Sequence, residues 1–123
     1  MKNHFKKNIL VVEDEDINYF FICMMLVDSQ ANVFRAFNGI EAVELVKDKP
    51  NIDLIIMDIQ LPIMNGWDAI IQIKKCNCKL PIIVQTAYAH KENRSHELGC
   101  DGFIAKPYSP VDLLVLVKKF IED

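Results

Sequence analysis

Apolar positions along the chain fall into five short runs, and several of them end abruptly in a chemically active side chain. Residues 8–12 (NILVV), 54–57 (LIIM) and 81–85 (PIIVQ) show no period-two alternation, so they read as strands buried on both faces. Residues 31–37 and 102–105 read as two further strands, with Val33, Arg35 and Phe37 on one face of the first. Helical spacing fills the gaps. It predicts helices over about 16–27, 40–47 (Ile40, Val43, Val46), 66–75 (Ile70 and Ile73 inward) and 89–98, and a last one from Pro110. Their ends are punctuated. Asn38 is an N-cap ahead of the second helix, and Gly99 is a left-handed stop for the fourth. Ser109, Pro110 and Asp112 form a capping start for the fifth. Pro50, Pro62 and Asn65-Gly66 mark breaks.

Strand and helix therefore alternate five times. Crossovers of this length are right-handed and build a parallel sheet covered on both faces, an α/β doubly wound fold. In a parallel sheet all strand carboxyl ends share one edge. Glu13 and Asp14 follow the first predicted strand, and Asp58, Thr86 and Lys106 follow or close three others, so all five are expected in one crevice, where open α/β sheets bind ligands. Asp58 stands on the central, most apolar of these strands. Alone it would be an ordinary turn-capping aspartate.

Composition narrows the function. The 123 residues are 51% apolar, enough for one domain with a core, expected to span residues 1–123 without an output domain. A net charge of -3 and no long basic run give no footprint for nucleic acid or an anionic membrane. The longest apolar run, residues 19–27, is too short to span a bilayer, and the N-terminus carries no export signal, so a cytoplasmic location is expected. Cys76-Asn77-Cys78 lacks common zinc spacing, and His90 and His96 are six apart, which is not a helical metal pair. All four cysteines are expected to be reduced.

The crevice has its own chemistry. Three neighbouring carboxylates raise each other's pKa, and a divalent cation removes the conflict. All-oxygen ligands favour a hard ion, Mg²⁺ first. Together with an ammonium and a hydroxyl, such a site clamps a transferring phosphoryl group, and a carboxylate can accept it as an aspartyl phosphate.

The whole chain resembles the receiver domain of two-component response regulators. The matching stretches are ILVVEDED (9–16), DLIIMDIQLPIMNGWD (53–68), PIIVQTAYA (81–89) and GCDGFIAKPYSP (99–110). The resemblance implies a flavodoxin-like (βα)5 sandwich with strand order 2-1-3-4-5, the order of chemotaxis receivers. It makes Asp58 the phosphoacceptor, with Glu13, Asp14, Asp58 and the Gln60 backbone carbonyl holding Mg²⁺. Lys106 contacts the phosphoryl oxygens, Thr86 is the switch hydroxyl and Phe103 the switch aromatic. The Lys106-Pro107 peptide is expected to be cis. The side chains of Gln60 and Tyr88, each two past a site residue, are expected to screen the phosphoryl group and set its lifetime. Asn65 stands where the family commonly has Asp.

The implied donor is a phosphohistidine on a histidine kinase or histidine phosphotransfer domain, and the implied output is a change in the surface of the fourth helix, fifth strand and fifth helix. No enzymatic turnover of an external substrate is expected. EDEDIN, MDIQLP and QTAYA are similar in style to receivers of hybrid histidine kinases, so a module of such a kinase is the alternative context. A degenerate receiver that binds partners without phosphorylation is the alternative function. The first helix is apolar well beyond one face, which implies extra burial, against the donor or in a homodimer. A flavin carrier is disfavoured because residues 13–16 are all acidic where the phosphate would bind. An aspartate-dependent phosphatase would carry a second Asp where Gln60 stands, and there is no P-loop for ATP.

Overall fold

The computed structural model describes residues 6–49, 51–88 and 92–122. Five strands, β1 (Asn8–Val12), β2 (Asn32–Ala36), β3 (Leu54–Asp58), β4 (Ile82–Thr86) and β5 (Gly102–Ala105), form one parallel sheet in the order β2-β1-β3-β4-β5. Helices α1 (Asp16–Leu26), α2 (Gly39–Asp48), α3 (Gly66–Cys76), α4 (Glu92–Glu97) and α5 (Pro110–Ile121) connect them. The chain thus has the flavodoxin-like α/β architecture that its alternating pattern predicts.

The runs without alternation are buried on both faces, as expected: β3 and β4 are buried at every position. Two cores result. One lies between the sheet and α2 and α3, and includes Leu10, Val12, Ile55, Met57, Ile70 and Ile73, with Trp67 and Phe103 packed partly buried against it. The other holds Ile9, Val11, Ile22, Leu26, Ile56, Leu113 and Val117 beneath α1 and α5. Asn38, Asn65 and Ser109 each cap a helix through a side-chain oxygen that accepts the N–H three residues on, at 2.9, 3.0 and 3.2 Å. Asn65 has this capping role at the start of α3. Gly99 has φ of +80°, the left-handed stop after α4.

Three expectations shift. The helix over 16–27 ends at Leu26 and tightens into a 3-10 turn, Val27–Ser29. Thr86 lies inside β4 instead of just beyond it. Ile40 is half exposed, because Ala42, Val43 and Val46 already fill the inward face of α2. The expected start of the fourth helix, at Ala89 and His90, lies outside the described residues, as does Pro50. Among the described residues, no helix is long and apolar enough to cross a membrane.

Candidate functional site

Three strands aim side chains at one point. β3 ends in Asp58, which is buried. Its Oδ1 accepts the Gln60 N–H at 3.0 Å and its Oδ2 accepts from Lys106 Nζ at 3.0 Å. Lys106 follows β5 and reaches back across the sheet edge; the Lys106-Pro107 bond is cis, as expected. The same ammonium lies 3.6 Å from Glu13 Oε1. Glu13 follows β1, is fully buried, and accepts the Glu15 N–H on Oε2 at 3.2 Å.

Burial, and then the charge of Asp58, push the Glu13 carboxyl up to about 7 from its ordinary 4.5, against the opposing pull of Lys106 and the Glu15 N–H. Burial disfavours the charged form of Lys106, but the hydrogen bond and charge of Asp58, helped by Glu13, outweigh it, and its pKa is raised. Asp14 is exposed at the rim. Glu13, Asp14 and Asp58 each offer a carboxylate oxygen, and these oxygens lie within 4.8 Å of one another.

This donor set fits a hard divalent cation. It is all oxygen, it is doubly or triply anionic, and Glu13 Oε1 is buried with no hydrogen-bond donor among the described residues. A cation between the acids would satisfy that oxygen and hold Glu13 ionised.

The remaining expected residues lie on β4, on β5 and on the loops after β3 and β4. Thr86 closes β4, is buried, and its hydroxyl accepts the Tyr88 N–H at 3.1 Å. Gln60 Nε2 donates to the Tyr88 hydroxyl at 3.1 Å, so the side chains two past Asp58 and two past Thr86 meet each other. Phe103 on β5 pairs in register with Val84 and packs half-buried against the core.

Sequence reasoning missed three neighbours. Tyr108 donates its hydroxyl to the buried Gln85 Oε1 at 2.7 Å, and burial, with the charges of Glu13 and Asp58, raises its pKa to about 12. A glutamine inside the apolar run PIIVQ was the one visible signal of that pair. Arg35, read only as a strand-face residue, instead reaches the loop that carries Glu13 and Asp14.

The response regulator receiver domain family matches residues 9–118 of the sequence. The chain belongs to this family. As a receiver domain it is a signalling domain of two-component systems, and magnesium and phosphoaspartate are features of that family. The receiver is 33% identical over 122 residues to the polar-differentiation response regulator DivK of Brucella anthropi, covering 95% of this chain and 98% of that one. It is 35% identical over 118 residues to the probable transcriptional regulator ycf29 of Porphyra purpurea, covering 93% of this chain but 56% of that one, so it spans about half the length of that relative. Among solved structures it resembles the receiver domain of a Pseudomonas aeruginosa sensor histidine kinase, which has a magnesium ion coordinated in its active-site cleft. That likeness has a TM-score of 0.86 and 29% identity, and covers 97% of this chain and 100% of the other.

Proposed function

We propose that this receiver takes a phosphoryl group from a phosphohistidine onto Asp58. The observation that carries the reading is the convergence of a buried Asp58 carboxylate with Lys106 Nζ at 3.0 Å and with the oxygens of Glu13 and Asp14. An Asp58 carboxylate oxygen attacks phosphorus in line; the O–P bond forms as the N–P bond breaks, and the imidazole leaves as the neutral base after taking a proton. Lys106 meets the charge that spreads over the equatorial oxygens. Glu13, Asp14, Asp58 and the Gln60 carbonyl would hold Mg²⁺, which supplies the remaining neutralising charge when bound.

Thr86 turns its hydroxyl from the Tyr88 N–H toward the new dianion. Phe103, half-buried one strand away, follows by repacking, and the surface of α4, β5 and α5 carries the change. The Gln60–Tyr88 hydrogen bond lays two side chains beside Asp58, where they limit the approach of water to the phosphoryl group. The donor docks on the exposed apolar face of α1, which adjoins the site through a cleft of about 290 Å³ that runs from Phe21 and Met25 to Lys106 and Tyr108.

The test is intact-mass measurement after incubation with acetyl phosphate. One phosphoryl group is expected on the protein, dependent on both Mg²⁺ and Asp58. No uptake, including from a phosphorylated histidine phosphotransfer domain, would point to a receiver that binds partners without phosphorylation.

A further inference from the structure

Arg35 stands on β2, outside every residue assigned above, yet it is the most heavily engaged cation next to the site. Its side chain is 15% exposed. Its Nε donates to the backbone carbonyl of Glu13 at 3.1 Å, and its Nη1 pairs with Asp16 Oδ1 at 2.8 Å. The guanidinium lies over two rings: its central carbon is 4.4 Å from the Tyr19 ring centre and 4.0 Å from that of Phe37. Among the described residues no acceptor meets the buried Nη2, which is consistent with a guanidinium held largely by aromatic faces.

Both polar anchors flank Asp14. One is the carbonyl just before it; the other is the first residue of α1, two positions after it. Asp14 itself is exposed, and its carboxylate stands within 4.8 Å of two others that repel it when ionised.

We infer that Arg35 is a positioning residue for the cation: it ties the Glu13 backbone carbonyl to the Asp16 side chain, one on either side of Asp14, and so keeps Glu13 and Asp14 directed at the point where Asp58 ends. Arg35 touches neither the cation nor the phosphoryl group. It acts through the Glu13 carbonyl and the start of α1. This rests on the proposed reading of the acidic cluster as a Mg²⁺ site. A lysine cannot replace it, because one ammonium on a flexible stem does not stack on aromatic rings while donating in two fixed directions.

The experiment is a Mg²⁺ titration followed by NMR amide shifts of residues 13–16, on the wild type and on Arg35→Lys, Arg35→Met and Asp16→Asn. Unfolding midpoints are recorded on the same samples. Residues that orient metal ligands from outside typically change affinity about 10–100-fold. Both Arg35 variants are expected to weaken Mg²⁺ about tenfold or more while folded, and Asp16→Asn by less in the same direction. Phosphorylation by acetyl phosphate should return to the wild-type rate at saturating Mg²⁺, which a general loss of structure would not allow. Asp16 is 73% exposed, so its variant remains informative if Arg35→Met does not fold. Affinities within about twofold of wild type in folded Arg35→Lys, or in Asp16→Asn should the Arg35 variants not fold, would overturn the inference while leaving the site reading intact. A wild type that shows no Mg²⁺-dependent shifts would overturn both.

Discussion

Glu13 is the side chain on which pH acts most directly. Its carboxyl is raised to about 7 in the folded, metal-free protein, against 4.5 ordinarily, first by burial and then by Asp58. Between these two values the unfolded chain releases a proton that the folded chain keeps. Stability of the metal-free protein therefore falls as pH rises through that window and levels off above about 7. Melting curves in chelator should show this slope, and Glu13→Gln should flatten it. Mg²⁺ needs the ionised form, so its stabilisation of the fold should be larger above about pH 7 than below it. A wild-type slope that survives in Glu13→Gln would assign it elsewhere. Lys106 gives a second prediction at this scale. Lys106→Ala removes the 3.0 Å contact to Asp58, and phosphoryl uptake from acetyl phosphate should slow at least about tenfold, measured by intact mass over time.

The β3–α3 turn is the element that sets where Asp58 can stand. A Cβ at Gly66 would come within 2.5 Å of the Asp58 carbonyl oxygen and 2.7 Å of Ile59 Cα, both backbone atoms that cannot step aside. The Gly66 N–H also donates to the Ile59 carbonyl at 2.9 Å. Gly66→Ala should therefore cost about 1–3 kcal/mol in denaturant unfolding and also depress phosphorylation, since the displaced backbone is that of Asp58. Ile63 in the same turn has φ of +68° and is 79% exposed. A β-branched residue is strained there. Ile63→Gly relieves the strain at some cost in chain entropy, and a net gain of about 1 kcal/mol is expected from the same unfolding measurement.

Sequence showed this turn through Pro62 and Asn65-Gly66, and the strands through apolar runs that stop at Glu13, Asp58 and Thr86. It did not show that Ile63, one residue past a proline, takes the left-handed conformation. It set Phe37 on the same face as Arg35, but it did not show Tyr19 against the guanidinium: that contact joins β2 to α1 through space, and no period along the chain records it. α1 poses the same difficulty in another form. Its residues are apolar nearly all round, so spacing could not separate Tyr19, which packs inward against the core and Arg35, from Phe20, which does not.

At the scale of the molecule, α1 and the turn after it leave Ile17, Phe20, Phe21, Met24 and Val27 between 57% and 75% exposed, an apolar stripe that carries no charge between Asp16 and Asp28. Under the proposed function this is the donor's landing face. Phe20 and Met24 are the residues to change, since Tyr19 belongs to the fold. Phe20→Ser with Met24→Ser should leave phosphorylation by acetyl phosphate unchanged and slow transfer from a phosphorylated histidine phosphotransfer domain. Equal loss with both donors would place the effect in the site instead of in docking.

The close seat of Gly66 against Asp58 has a further consequence. The next residue, Trp67, is the protein's one tryptophan, and its ring rests half-buried against the core beside that turn. Any adjustment of the backbone at Asp58 is thus one peptide away from the sole indole. The receiver carries its own fluorophore next to the site, and its emission can follow the turn in real time without a label.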